Sequence, residues 1–395
     1  MTTVYLAADA PPIGTHVLVV GIGAYTHLNG GINPATNTRG LGQLTSPPIS
    51  AKALIDWFLA PLHNPRPVAG FRNPVAPLAS LEALIAAPQP ISVSAPAGQE
   101  PAHEVTLDGA TLQQVRDAFE LWRTRLIAQP GNTGIFYFCG HGVSTGTQYA
   151  LCQDLLRNEG VPWEMVFEVD GTLLSLGKEA PNCHVHFWID ACREVPAEIL
   201  LTNQHPAPLR TSPLTNETVE RSHSLLQATG AGRLAFAKEN KTSRFTTALL
   251  KTLSGYAGSS KAGGPWQIDA FELANAVKEL LKVENKSSER KQNSSFYDSG
   301  DGVPIIQLLG VPKVDLCLDL SPDAMREHGE IYLVPCDGAS PVDVRPCIEG
   351  AYTKVVSKGV YNLGARSVTG HFQPARLTFE WVNPPFYDHI FEVAP

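Results

Sequence analysis

Two residues that could perform covalent chemistry follow two apolar runs of this sequence. The run IFYFC (135–139) leads into Gly-His-Gly around His141, and the run VHFWI (185–189) leads through Asp-Ala to Cys192. A thiol with a pKa of about 8.5 is mostly protonated at neutral pH, and a neighbouring imidazole can take its proton. Functional groups gather at the carboxyl ends of parallel strands, so adjacent strands would bring both side chains into one cleft. The pair predicts nucleophilic attack by sulfur on a carbonyl carbon.

The glycines beside the histidine strengthen this prediction. Residues without side chains let a substrate backbone approach closely. We expect the backbone N–H groups of Gly142 and Cys192 to form an oxyanion hole, and His141 to protonate the leaving amine. Taken singly, the histidine would more simply be a polar strand end and the cysteine a buried thiol, and only their matching positions favour the pair.

The elements around these residues alternate between strand and helix. A buried first strand is predicted in THVLVVGIGAY (15–25), a helix opening at Ser50, and a second helix with a capping box at Thr111. Residues 60–104 are rich in Pro and Ala and predict an irregular segment, whereas VPIIQLLG (303–310) predicts a last buried strand. This alternation predicts an α/β fold with a mainly parallel sheet between layers of helices.

The pattern changes near residue 314. Strand-like pieces separated by Gly, Pro and Asp follow, and no helix is evident. We therefore predict an α/β domain over 1–313 and a small β-sandwich-like accessory domain over 314–395. Within the first domain, residues 195–223 form a loop rich in Pro, Thr and Ser.

Composition limits the classes of partner. The chain has 30 Lys and Arg against 38 Asp and Glu, a net charge of −8, so nucleic acid and anionic membranes are not expected as partners. No apolar run reaches the ~18 residues of a membrane span, and the N-terminus lacks a signal-peptide pattern. Seven cysteines, an odd number, fit a reducing compartment. We predict a cytoplasmic protein without a cofactor or metal.

The two motifs resemble those of the caspase-like cysteine peptidases, which comprise caspases, paracaspases and metacaspases. In this family a histidine precedes a Q-A-C-[RQG]-G motif by about fifty residues. Here the motif reads DACRE (190–194), which keeps its A-C-R centre. Weaker similarity extends over 16–310. The resemblance implies a caspase-like fold of the prokaryotic type, with His141 as the general base and Cys192 as the nucleophile.

The resemblance also implies a specificity pocket. The residue two positions before the nucleophile lines the pocket for the substrate P1 side chain; metacaspases and paracaspases carry aspartate there and cleave after Arg or Lys. This chain has Asp190, whose carboxylate would attract a guanidinium. Asp154 resembles an acid that ends the strand after the histidine loop in these relatives. Ser50 stands where they carry a further pocket aspartate, so this pocket would hold fewer negative charges.

Regulation follows from the same comparison. Caspases are restrained in part by an inter-subunit loop, and residues 195–223 correspond to it. Arg210 and Arg221 in this loop would be sites of self-cleavage or of cleavage by an upstream activating protease, which would make the chain a zymogen. Caspase-like proteins with accessory domains resemble bacterial regulated-death and antiphage effectors, so proteins are the expected substrates and a sensor an expected partner. Metacaspases often need calcium, but no EF-hand-type loop is present.

Three other interpretations stay open. A caspase fold could serve as a catalytically silent scaffold or adaptor, although a scaffold needs neither the histidine nor the cysteine. The pocket could prefer an acidic P1 residue. A nucleotide-binding α/β domain would rest on GIGAY (21–25), which lacks the full G-x-G-x-x-G spacing.

Overall fold

A computed structural model gives the architecture of the chain. It describes residues 2–9, 11–63, 70–96, 103–193, 206–211, 222–230, 235, 239–261, 263–300, 302–337 and 342–394.

The chain divides into two compact units. The first comprises Met1–Ser254 with Asp269–Gln307, and the second comprises Gly255–Ile268 with Leu308–Pro395. The second unit thus includes a short segment that the sequence analysis assigned to the α/β domain.

The secondary structure is given in chain order. The helices are α1 (Ser46–His63), α2 (Leu112–Ile127), α3 (Val169–Glu179), α4 (Arg244–Leu253) and α5 (Ala270–Lys286). The strands up to residue 307 are β1 (Thr2–Leu6), β2 (Thr15–Ile22), β3 (Leu78–Ala86), β4 (Ser92–Ala95), β5 (His103–Thr106), β6 (Thr133–Gly140), β7 (Gly142–Ser144), β8 (Gln148–Leu151), β9 (Val166–Glu168), β10 (His184–Ala191), β11 (Ser222–Gln227), β12 (Gln267–Ile268), β13 (Ser295–Asp298) and β14 (Ile306–Gln307).

A seven-stranded sheet forms the centre of the first unit. Its order is β1-β3-β2-β6-β10-β11-β13, and the five inner strands are parallel to one another. The edge strands β1 and β13 are antiparallel. Every residue of β2, β3 and β6 is buried, as a parallel sheet covered on both faces requires. The predicted α/β fold with a mainly parallel sheet is confirmed.

Helices pack on opposite faces of this sheet. Trp188 in β10 stacks on Phe58 of α1, with ring centroids 6.5 Å apart. The preceding residue, Phe187, faces Trp122 of α2 at the same centroid distance. Successive residues of a strand point to opposite faces, so α1 and α2 lie on opposite sides of β10. The carboxyl ends of the parallel strands lie between these two layers of helices.

Two predictions about helices and strands near the start of the chain are wrong in detail. Helix α1 begins at Ser46, four residues before the predicted Ser50, because Pro47 and Pro48 occupy the first turn, where no backbone N–H is needed. The segment 60–104 contains a central strand, β3, whose Ala and Glu content hid it. Its Glu82 is buried and forms an ion pair with Arg125.

The end of the first unit also differs from the prediction. Only Ile306 and Gln307 of the run 303–310 form a strand, and β13 (Ser295–Asp298) supplies the last strand of the central sheet. The capping box that opens α2 is confirmed: Thr111 Oγ1 accepts from Gln114 N–H, and the Gln114 side chain accepts from Thr111 N–H at 3.0 Å.

Two small antiparallel sheets accompany the central one. Strands β4 and β5 pair with each other, and β7, β8 and β9 form a three-stranded sheet. The latter sheet begins directly after His141, at the carboxyl end of β6.

The second unit is built from strands of its own. These are β15 (Lys313–Ser321), β16 (Gly329–Pro335), β17 (Asp343–Pro346), β18 (Tyr352–Ser357), β19 (Gly359–Ser367), β20 (Ala375–Val382) and β21 (Phe386–Glu392). They form a three-stranded sheet, β18-β15-β21, and a four-stranded antiparallel sheet, β17-β16-β19-β20. Short 3₁₀ helices at Asp323–His328 and Cys347–Glu349 are additional to the predicted strands. Its core includes Leu318, Leu333 and Leu363.

Candidate active site

His141 lies one residue beyond the carboxyl end of β6. Its backbone N–H donates to the hydroxyl of Tyr25 at 2.8 Å, and the two rings lie 4.9 Å apart. Its Nε2 is 2.8 Å from the carbonyl oxygen of Gly42. A carbonyl can only accept, so Nε2 carries the proton and Nδ1 is left with a lone pair. The ring is thus oriented with an acceptor nitrogen available.

Burial sets the charge of this imidazole. Desolvation lowers the pKa of His141, and the bond to Gly42 opposes this shift only in part. A histidine with a lowered pKa is neutral at pH 7, which is the form that can take a proton from a thiol.

Cys192 lies at the matching position of the neighbouring strand. Strands β6 and β10 are parallel, and their register pairs Gly140 with Ala191. His141 and Cys192 each follow the last paired residue of their strand. Both line one cleft of about 440 Å³. The structure therefore brings the two residues to the same edge of the sheet, as the sequence predicted.

The thiol contacts the backbone of Ala235. The Ala235 N–H lies 3.3 Å from Cys192 Sγ, and the Ala235 carbonyl oxygen lies 3.8 Å from it. An N–H donor stabilises a thiolate, whereas the carbonyl accepts from the thiol. A substrate carbonyl would have to approach the sulfur beside the backbone of Ala235.

Gly142 is required by a close approach of backbone. A Cβ atom at this position would lie 2.8 Å from the carbonyl oxygen of Cys192 and 2.8 Å from the Ala191 side chain. The predicted oxyanion residues, Gly142 and Cys192, are therefore neighbours. Gly142 is not among the residues that line the cleft, whereas Gly140 is.

Asp190 lies in the cleft wall and is 3% exposed. Its Oδ2 accepts from Ser243 Oγ, from Thr246 Oγ1 at 2.7 Å and from the Tyr137 hydroxyl at 3.4 Å. Ser243 is the N-cap of α4. Burial raises the pKa of the Asp190 carboxyl, and these hydrogen bonds act in the opposite direction. The aspartate thus both faces the cleft and anchors the start of α4.

The other two predicted pocket residues lie elsewhere. Asp154 is buried and its Oδ1 accepts from the Leu112 N–H at 2.9 Å, so it caps the N-terminus of α2. Ser50 is buried in α1, and its Oγ accepts from the Ser243 N–H at 3.0 Å. Neither residue is among those lining the cleft. Ser50 supports the cleft indirectly, through the serine that bonds to Asp190.

Of the two predicted processing sites, only Arg210 lies in the described residues. Arg210 forms an ion pair with Glu179 of α3, with 2.8 Å between Nε and Oε1. Leu209 N–H donates to Thr172 Oγ1 at 2.9 Å, so this part of the loop lies against α3. Arg221 and most of the segment 195–223 lie outside the described residues.

Further charged residues line the cleft that the sequence analysis did not identify. Glu239 and Arg290 stand in its wall with opposite charges. Tyr25 and Gly42 orient the histidine, and no local pattern marks them: both lie in a loop distant in sequence from His141. The sequence placed Tyr25 at the end of a predicted strand and assigned it no role at the site.

The described residues contain neither a metal-binding cluster nor a membrane-spanning helix. Over the described residues, no group of three or more His, Cys, Asp or Glu could hold a metal ion. In the same part of the chain, no helix is long and apolar enough to cross a membrane. None of the seven cysteines, all of which lie in the described residues, forms a disulfide.

Comparisons with known proteins identify a matching family and a similar bacterial protein. The family model of the caspase domain matches residues 78–301, more than half of the chain. The uncharacterized protein y4kE of Sinorhizobium fredii is 29% identical over 336 residues, covering 82% of this chain and 94% of that protein.

Two solved structures are similar at low identity. Protein GSU0716 from Geobacter sulfurreducens has a TM-score of 0.41 and 14% identity, covering 75% of this chain and 97% of that one. Caspase-1 from Spodoptera frugiperda has a TM-score of 0.41 and 11% identity, covering 73% and 88%. The family match is the finding that decides: the chain belongs to the caspase domain family, a family of cysteine peptidases.

Proposed function

We propose that this chain is a cysteine endopeptidase in which Cys192 is the nucleophile and His141 the general base. The observation that supports this most strongly is the β6–β10 register, which brings both residues to one strand edge and one cleft. His141 Nδ1 takes the thiol proton, and the sulfur attacks the scissile carbonyl. The imidazolium then protonates the leaving amine, and water hydrolyses the thioester that remains.

The oxyanion would be held by backbone groups near the nucleophile. We assign this role to the N–H groups of Cys192 and Gly142, in line with their close packing. The Gly42 carbonyl keeps Nε2 protonated, so the same ring nitrogen, Nδ1, serves in both proton transfers.

A basic P1 side chain is the preferred substrate in this proposal. Asp190 and Glu239 place two carboxyl groups on the cleft wall, against one guanidinium from Arg290. The hydrogen bonds to Asp190 described above end on Oδ2, so a P1 guanidinium would have to approach Oδ1. An acidic P1 preference would need Arg290 to dominate the wall, and this is the alternative to test.

Cleavage of matched reporter peptides separates these preferences. Peptides ending in Arg, Lys or Asp, otherwise identical, are compared for kcat/KM. We expect Arg and Lys to exceed Asp by at least ~100-fold, because a buried carboxylate repels an acid. A preference for Asp would contradict the basic P1 assignment while leaving the nucleophile in place.

A catalytically silent scaffold is the second candidate, and one observation favours it. Both the backbone N–H and the backbone carbonyl oxygen of Ala235 contact the sulfur. An arginyl acyloxymethyl ketone distinguishes the two, because it alkylates a competent thiol. A Cys192 adduct supports the enzyme. No adduct, even after proteolysis of the loop 195–223, supports the scaffold.

Regulation by loop cleavage is part of the proposal. The contact of Ala235 with the thiol supports a restrained form, and the Arg210–Glu179 pair holds one candidate site against α3. Cleavage after Arg210 requires its guanidinium to leave Glu179. We expect Glu179→Gln to speed processing at Arg210, and Cys192→Ala to abolish it if processing is autocatalytic. Equal processing in all variants would contradict this.

The biological setting stays a prediction from the resemblance. From that resemblance we predict a regulated effector of bacterial defence or cell death that acts on protein substrates and responds to an upstream protease or sensor. We also predict a cytoplasmic location and no cofactor. A calcium requirement is tested by assaying activity with and without a chelator.

A further inference from the structure

Two buried glutamines connect the strand ends of the candidate site. Gln148 in β8 is fully buried, and its Oε1 accepts from Gln227 Nε2 at 2.6 Å. Its Nε2 lies 3.5 Å from the carbonyl oxygen of Cys192. Its backbone N–H donates to Asp170 Oδ2 at 2.8 Å, which fixes the start of β8.

The second glutamine, Gln227, hydrogen-bonds to the residue that follows the nucleophile. Gln227 ends β11, and its Oε1 accepts from Arg193 Nη1 at 2.9 Å and from Ser295 Oγ at 2.9 Å. Arg193 directly follows Cys192. Side chains and backbone therefore form a closed ring, from the Cys192 carbonyl through Gln148 and Gln227 to Arg193. We call these four residues the amide ring.

The amide ring joins the two halves of the candidate dyad. Gln148 pairs with Ser144 of β7, the strand that begins directly after His141. The other end of the ring is the peptide group between Cys192 and Arg193. The ring thus connects the hairpin that continues from the histidine to the peptide group that follows the cysteine. The 2.8 Å approach of a Cβ at Gly142 to the Cys192 carbonyl shows how closely these segments pack.

Packing alone does not explain two glutamines at these positions. A buried amide costs free energy unless its donors and acceptors are paired. An apolar residue of similar shape would fill the same space without this desolvation cost. A connected hydrogen-bond network instead selects one arrangement of the groups it joins. A displacement of about 1 Å in a catalytic group can reduce a rate about 100-fold.

We propose that Gln148 and Gln227 are positioning residues that set the separation and orientation of the Cys192 thiol relative to the His141 imidazole. This inference rests on the proposed function for the reaction it affects. The reactivity of the thiol is a readout of its own, because alkylation requires no peptide hydrolysis.

The test compares isosteric variants with a matched control. Gln148→Met and Gln227→Met keep the volume of each side chain and remove its hydrogen bonds. Asn132→Leu removes an equally buried amide at the opposite, amino end of β6, where it bonds to Gly14, Arg125 and Leu126. For each variant we measure Tm, kcat and KM on the preferred reporter, and the pH dependence of alkylation of Cys192 by iodoacetamide.

A positioning role predicts a specific pattern. Both methionine variants should lose ~10- to 100-fold in kcat, with KM within about twofold of the parent. The midpoint of alkylation should rise by about one pH unit, because a displaced imidazole no longer takes the thiol proton, and the thiolate then forms without an adjacent imidazolium. The double variant should lose little more than either single variant, because the residues act as one network. Asn132→Leu should lower Tm without changing the alkylation midpoint.

The opposite outcomes are equally clear. If the methionine variants keep the parental kcat and alkylation midpoint, or merely match Asn132→Leu in both, the glutamines are structural and the proposal is wrong. If Gln148→Met does not fold, Gln227→Met carries the same test. If no peptide is cleaved by the parent but the alkylation midpoint still shifts, the proposed function fails and the positioning role stands.

Discussion

The central sheet of the first unit and the two larger sheets of the second unit bury their residues in different ways. Strands β2 and β6 are buried along their whole length, whereas β15 alternates between buried and partly exposed or exposed residues. The first pattern belongs to a parallel sheet covered by helices, and the second to a sheet with one face on a core.

This difference determines where each unit can carry chemistry. A parallel sheet covered on both faces leaves its carboxyl edge for polar groups, and His141, Asp190 and Cys192 lie there. The cysteines of the second unit are dispersed: Cys317 lies in β15, Cys347 in a 3₁₀ helix and Cys336 after β16. A nucleophile needs an acid–base partner beside it, and in the first unit His141 lies at the neighbouring strand end.

The largest expected effect contrasts the thiols of the two units. Cys192→Ala should lower kcat/KM by at least ~10⁴-fold, because the nucleophile is lost. Cys336→Ala, which removes the exposed thiol of the second unit, should leave kcat/KM within about twofold. Circular dichroism and Tm verify that both variants fold. Activity near the parental level in Cys192→Ala would show that Cys192 is not the nucleophile.

Core truncation should destabilise each unit through its own centre. Phe136→Ala removes a fully buried ring that contacts Phe187 and Trp122, and should cost about 3–5 kcal/mol. Leu363→Ala in the core of the second unit should cost about 2–5 kcal/mol. Hydrogen exchange of β6 and β19 amides reports on the two units separately. Loss of protection in both strands for either variant would show that the units do not unfold independently.

Acid should weaken the first unit through its buried histidines. Burial lowers the pKa of His186 to about 3 and that of His16 to about 4. Unfolded histidines bind a proton below about pH 6.5, so stability is complete above that pH and falls as the pH decreases towards the native values. Between pH 6.5 and 5 each histidine accounts for up to about 2 kcal/mol.

A non-titrating variant checks this assignment. His186→Asn places an amide near the Nδ1 position, which lies 2.8 Å from Ser224 Oγ. Urea unfolding at pH 7 and pH 5 should show a smaller acid loss in this variant than in the parent. His371→Asn, an exposed histidine of the second unit, should leave the loss unchanged. An equal loss in the parent and in His186→Asn would exclude His186 as its source.

The smallest expected effect concerns helix capping in the first unit. Thr111→Ala removes the hydroxyl that accepts from the Gln114 N–H, which is one half of the capping box of α2, and should cost about 1 kcal/mol. Thr378→Ala, at an exposed position of β20, should change stability by less than about 0.5 kcal/mol. Thermal unfolding measures both, and an equal cost would mean that the cap does not stabilise α2.

The sequence determined the parts of this protein that local patterns encode. Apolar runs predicted β6 and β10, Thr and Gln predicted the cap of α2, and the ends of the two runs predicted the cleft of His141 and Cys192. These features depend on residues within one element and on the rule that parallel strands end at a common edge. Strand β3 escaped because its Glu82 is buried only through an ion pair with Arg125, a residue of another element.

Only the tertiary structure decided which side chains support the candidate dyad. Asp154 caps α2 instead of lining the cleft, and the Gly42 carbonyl orients the imidazole from a distant loop. Gln148 and Gln227 meet because β8 and β11 lie on either side of the nucleophile strand end. These partnerships depend on register and packing between segments far apart in the chain, and a hydrogen bond leaves no periodic pattern in the sequence.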